Sequence, residues 1–137
     1  MPKLLRIVCA IPIGLALGHA QCPVNAVVVH GHIVNPVHRP TVHVQLVYPK
    51  DQAGESASIA PESDTFRLPI EFLTQSNRPL IKNLHPKCDR KPQSVVVTLR
   101  EGDQERDGAV LKFPTDFDHT DPSAYSVRSE VVLKNPR

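Results

Sequence analysis

The stretch HGHIVNPVHRPTVH holds four histidines, His30, His32, His38 and His43, within fourteen residues. Imidazole is the commonest protein ligand for Zn2+ and a good one for Cu2+, and two or three rings on one surface make a metal site. Whether these rings share a surface depends on how the flanking runs pair. If NPVHRP is the turn of a hairpin, Ile33 faces Val42, Gly31 faces Val44, Val29 faces Leu46 and Val27 faces Tyr48 on the buried side. The other side then sets His32 opposite His43, His30 opposite Gln45 and Val28 opposite Val47, while His38 sits in the turn and points away from them. Cross-strand Cβ atoms lie about 5 Å apart, near enough for His30, His32 and His43 to share one ion. Neither strand carries a carboxylate to orient the rings, so the alternative is an ordinary mixed outer face.

Two further clusters have ligand character. Asp116, Asp118 and Asp121 in DFDHTD have a spacing that suits a hard cation such as calcium, although the run lacks the glycine and terminal glutamate of an EF-hand loop. The alternative is a solvated loop between the last two strands. Lys82, Lys87, Arg90 and Lys91, with His85 among them, form a basic stretch that suits an anionic polysaccharide or lipid head group; the alternative is a solvated loop held by Cys88. There is no Gly-x-Ser-x-Gly, no phosphate-cradling glycine loop and no Asn-x-Ser/Thr sequon. No catalytic residue and no cofactor is therefore assigned.

The first twenty residues read as a secretory signal, with Lys3 and Arg6 at its head, an apolar run from Ile7 to Leu17, and Gly18, His19, Ala20 at the cleavage site. That run is too short to span a bilayer, and no later segment is apolar enough to do so. The expected product is one secreted domain over residues 21–137. The chain has sixteen Lys and Arg against fourteen Asp and Glu. Removing Lys3 and Arg6 brings the product to formal neutrality, which argues against nucleic acid as a partner. Cleavage after Gly18 instead would expose His19 as an amino-terminal copper ligand. Of three cysteines, Cys9 leaves with the signal. Cys22 and Cys88 remain, and in an oxidising exterior they form one bridge worth about 4 kcal/mol, or stay as two free thiols.

These side chains must be positioned by strands, because the chain alternates apolar and polar residues over short runs divided by Pro, Gly, Asn and Asp. The clearest strands are AVVVHGHIV, TVHVQLVY, DTFRLPIEFL, SVVVTLRE, GAVLKF and YSVRSEVVLK, with SASIA as a seventh. A second hairpin joins SVVVTLR to AVLKF through EGDQERDG. The pattern predicts an all-β, antiparallel two-sheet sandwich of about seven strands, with Val27, Val29, Ile33, Val42, Val44 and Leu46 inside. Phe66, Phe72 and Phe113 are its larger fillers.

GHIVNPVHRPTVHVQLVYP, a Gly-containing first strand, a Pro-rich turn and an alternating second strand, resembles the opening hairpin of transthyretin-like and carboxypeptidase-regulatory-like sandwiches; an immunoglobulin-like sandwich is the other expectation. The CPVN start, FRLPIEFLTQ, KCDRKPQSVVVTL and AYSVRSEVVL are similar to segments of small secreted proteins of filamentous fungi. That resemblance implies an effector or elicitor of a plant-associated fungus and carries no catalytic residues. The function expected is thus a monomeric, non-enzymatic binding protein outside the cell, with an extracellular protein or cell-wall glycan as partner. The alternative is a copper- or zinc-dependent protein or small enzyme acting on extracellular polysaccharide.

Overall fold

The computed structural model describes residues 24–35, 39–73 and 91–136. Nine strands run through them: β1 (Val24–Val34), β2 (Pro40–Tyr48), β3 (Gln52–Ile59), β4 (Thr65–Leu73), β5 (Ser94–Glu101), β6 (Gln104–Lys112), β7 (Phe117–Asp121), β8 (Ala124–Val127) and β9 (Val131–Lys134). One sheet has the order β4-β1-β8-β7, with β9 also paired to β1; the other has the order β3-β2-β5-β6. The molecule is an all-β arrangement of a five-stranded and a four-stranded sheet.

Alternation decides which side chains enter the space between the sheets. Val42, Val44, Leu46 and Tyr48 of β2 are buried while Thr41, His43, Gln45 and Val47 between them are partly exposed. Val95, Val97 and Leu99 of β5 stand beside them in register, and Val27, Val29 and Ile33 of β1 join the same buried cluster. Each such side chain contributes about 1.5–3 kcal/mol through burial, and a one-residue slip of any strand would move its whole set into water. The six residues expected inside are all buried, as are Phe66 and Phe72. Phe113 packs against the cluster at its margin, its ring 4.6 Å from that of Tyr125.

The neighbours differ from the expectation. β1 and β2 do not pair: β1 pairs with β4, β8 and β9, and β2 with β3 and β5. The chain crosses from one sheet to the other between them, so their apolar faces meet across the core instead of lying side by side. Alternation fixes which face is buried, and both arrangements bury the same face. The five-stranded sheet is also mixed and not purely antiparallel, because β1 runs parallel to β8 and β9, while the four-stranded sheet is antiparallel throughout.

Other boundaries move for local reasons. SASIA is part of the longer β3, whose Gly54 lies under the Tyr48 ring; a Cβ there would be 2.2 Å from a ring carbon. The hairpin between β5 and β6 turns on two residues, Gly102 and Asp103, and most of EGDQERDG is strand. Gly102 has φ +59°, the positive value required at the first position of a primed two-residue turn. Glu101 and Arg106 meet beside that turn at 3.4 Å. DFDHTD is not a loop, since Phe117–Asp121 forms β7. YSVRSEVVLK is two strands, β8 and β9, interrupted at residues 128–130.

Candidate functional site

The interruption at 128–130 is the most irregular feature of the five-stranded sheet. β8 and β9 lie in succession along one edge of β1. Three steps on β1, from Val28 to Gly31, correspond to five on the partner, from Ser126 to Val131. Two residues must therefore bulge out of the ladder. The bulge is clamped at its start: Arg128 N donates to Asp116 O at 2.8 Å, Arg128 Nε to Asp118 Oδ1 at 3.0 Å and Arg128 Nη2 to Phe117 O at 3.3 Å. Its return to the sheet needs bare backbone, because a Cβ on Gly31 would lie 1.9 Å from Val131 O.

Between this bulge and the edge strand β6 lies an open crevice of about 330 Å3. The apolar side chains of Ala109, Leu111, Val127 and Val131 line it together with the charged Asp116, Arg128 and Glu130. That volume is at the small end of ligand pockets and suits one large side chain or one sugar ring.

The histidines divide around the sandwich. His30 and His32 are two apart on β1 and share the outer face of the five-stranded sheet. His43 is on β2, on the outer face of the four-stranded sheet, where its Nδ1 meets Ser58 Oγ at 2.6 Å. The structure thus brings two of the three expected metal ligands together and sets the third on the opposite face. In place of His43, Glu130 meets His32: its Oε1 is 2.8 Å from His32 Nδ1. As the side chains stand, no three His, Cys, Asp or Glu among the described residues are gathered around one point.

The three aspartates are each engaged separately. Asp116 Oδ2 accepts Lys112 N at 2.7 Å, Asp118 pairs with Arg128, and Asp121 Oδ1 accepts both Ser123 N and Ser123 Oγ at 2.9 Å. The Ser123 backbone N–H, then its hydroxyl, then the charge of His119 hold the Asp121 carboxyl below its ordinary value. These carboxylates secure turns and the bulge, and they do not stand as one ligand set.

Nothing in the alternation of the sequence marks Arg128, Glu130 or His119. His119 stacks on Tyr125 with ring centroids 3.9 Å apart, and its Nε2 donates to Pro122 O at 3.1 Å. The signal for the bulge was Ser129, a polar residue at an inward position of an otherwise alternating run. Of the basic stretch, Lys91 is exposed; Lys82, His85, Lys87 and Arg90 lie outside the described residues. So do the expected signal segment with His19, the residue His38 of the expected turn, and both cysteines of the expected bridge, Cys22 and Cys88. No family model, curated protein or solved structure matches the chain.

Proposed function

We propose that the protein is a secreted, non-enzymatic binding protein with a transthyretin-like sandwich, acting on an extracellular protein or a cell-wall glycan. The observation that carries this reading is the crevice beside residues 128–130, lined by apolar and charged side chains together at the flank of the sandwich. A rigid two-sheet scaffold presenting an irregular segment is a common design for recognition. The separation of β1 and β2 supports the transthyretin-like over the immunoglobulin-like form, in which the first two strands share a sheet. The resemblance to small secreted fungal proteins supplies the setting, an effector or elicitor meeting a plant surface.

The experiment is a pull-down of host proteins and cell-wall components with the secreted protein as bait. Capture of a defined partner that is reduced by Leu111→Arg supports the reading. Turnover of a polysaccharide by the purified protein reverses it in favour of an enzyme.

A further inference from the structure

We propose that His30, His32 and Glu130 form a two-histidine, one-carboxylate site for a borderline divalent metal ion, Zn2+ or, more tightly, Cu2+. The site shares Glu130 with the crevice, and the ion is held on the outer face of β1 without any partner bound in the crevice.

The placement follows from register. Side chains two apart on a strand project from one face with Cα atoms about 6.8 Å apart, so His30 and His32 rise side by side from β1. Gly31 pairs with Val131 and His32 with Val132 in the parallel ladder, which sets residue 130 next to the level of His30. Glu130 is exposed, on the same outward parity as Val132. Its carboxylate already touches the His32 ring, with 2.8 Å between Oε1 and Nδ1. Two ligands bound to one tetrahedral ion at about 2.1 Å stand about 3.4 Å apart, so a small parting of this pair admits the ion.

The third ligand needs one rotation. His30 makes no hydrogen bond or ion pair within the described residues, and it is partly exposed, so its ring is free to turn toward the pair. Two nitrogens and one carboxylate oxygen suit Zn2+ and Cu2+ and leave a position open to water, and the ordinary order of affinities places Cu2+ above Zn2+. Nearby cations oppose the ion weakly. Arg67 is the β4 neighbour of His30 but is exposed, and Arg128 is already paired with Asp118. Glu130 supplies the carboxylate that neither β1 nor β2 contains.

The test is titration of the secreted protein with ZnCl2, and separately with CuCl2, in the presence of a weak chelator. One ion per chain is expected, with Cu2+ the tighter. His30→Ala, His32→Ala and the isosteric Glu130→Gln should each weaken binding by about tenfold or more, a loss of the size seen when groups holding a metal are removed. His43→Ala, on the opposite face, should leave affinity unchanged. Matching far-UV spectra and melting curves certify that each variant is folded, and Glu130→Gln carries the test if either alanine variant is not. No stoichiometric ion after chelator competition, an unchanged affinity in Glu130→Gln, or equal losses in His43→Ala and His32→Ala would overturn the assignment. Cu2+ binding that survives His32→Ala would likewise place the copper elsewhere.

Discussion

The carboxylate of Asp107, on the edge strand β6 of one sheet, accepts the main-chain N–H of Lys134, on β9 of the other, at 2.7 Å. Its second oxygen accepts Gly108 N at 2.9 Å. One side chain therefore closes the flank of the sandwich immediately beyond the crevice, satisfying an edge N–H that no strand pairs. Asp107→Ala should cost about 1–2 kcal/mol, since hydrogen bonds to a charged group exceed neutral ones. Asp107→Asn, which keeps one acceptor oxygen, should cost less. Urea midpoints measure both, and equal losses in the two variants would show that the oxygen facing Lys134 is not the important one.

Gly31 and Gly102 are glycines for different reasons. A Cβ at Gly31 would meet Val131 O at 1.9 Å and the Phe66 ring at 2.9 Å, so alanine must push β1 from β9; at Gly102 nothing lies within 4 Å and only the positive φ matters. Gly31→Ala should cost about 3 kcal/mol, the upper part of the overpacking range. Gly102→Ala should cost about 1 kcal/mol, the strain of a left-handed residue. Thermal melts of the two single variants rank them, and the reverse order would contradict the parallel pairing of β1 with β9.

Tyr48 is buried, and its hydroxyl donates to Glu55 at 3.0 Å to one carboxylate oxygen and 3.1 Å to the other. Tyr48→Phe keeps the packing and removes the donor, and it should cost about 1–2 kcal/mol. Tyr48→Ala also empties the ring's place in the core, and about 3–5 kcal/mol is expected. A Phe variant as damaged as the Ala variant would assign the residue's importance to its hydroxyl instead of its ring.

Asp121 gives a pH signature. Its folded carboxyl titrates below the ordinary 3.8, chiefly through the Ser123 N–H and next through the Ser123 hydroxyl. A depressed carboxyl contributes stability above its unfolded value and loses it as pH falls through the folded one, so the effect is confined to strongly acid solution. Ser123→Ala removes the hydroxyl and keeps the N–H. The Asp121 carboxyl should then move only part of the way back to its ordinary value, followed by NMR of the carboxyl carbon; full restoration would mean the backbone bond does not form.

The buried faces were legible in the sequence, and the neighbours were not. Val27, Val29 and Ile33 alternate with His30 and His32, and that period of two fixes inside and outside whatever lies alongside. It is silent about whether β2 pairs with β1 or faces it across the core. The same silence joined His43 to His32 on paper and parted them in the fold. Glu130 was invisible as a partner because it lies 98 residues further along the chain. The parallel pairing that brings it to His32 is a non-local contact with no local signature. Ser129 alone marked the bulge, and one polar residue in an alternating run is too small a departure to place two strands where one is read.

The reading as a binding protein is tested most directly by co-sedimentation with insoluble plant cell-wall material, before and after protease treatment of that material. The supernatant is assayed both for remaining protein and for released sugar. The account predicts that the purified protein leaves the supernatant, that Leu111→Arg, with a charge placed on the crevice wall, stays in it, and that no sugar is released. The protease arm separates a protein partner from a glycan. Sugar release, or sedimentation of wild type and Leu111→Arg to the same extent, would contradict the account.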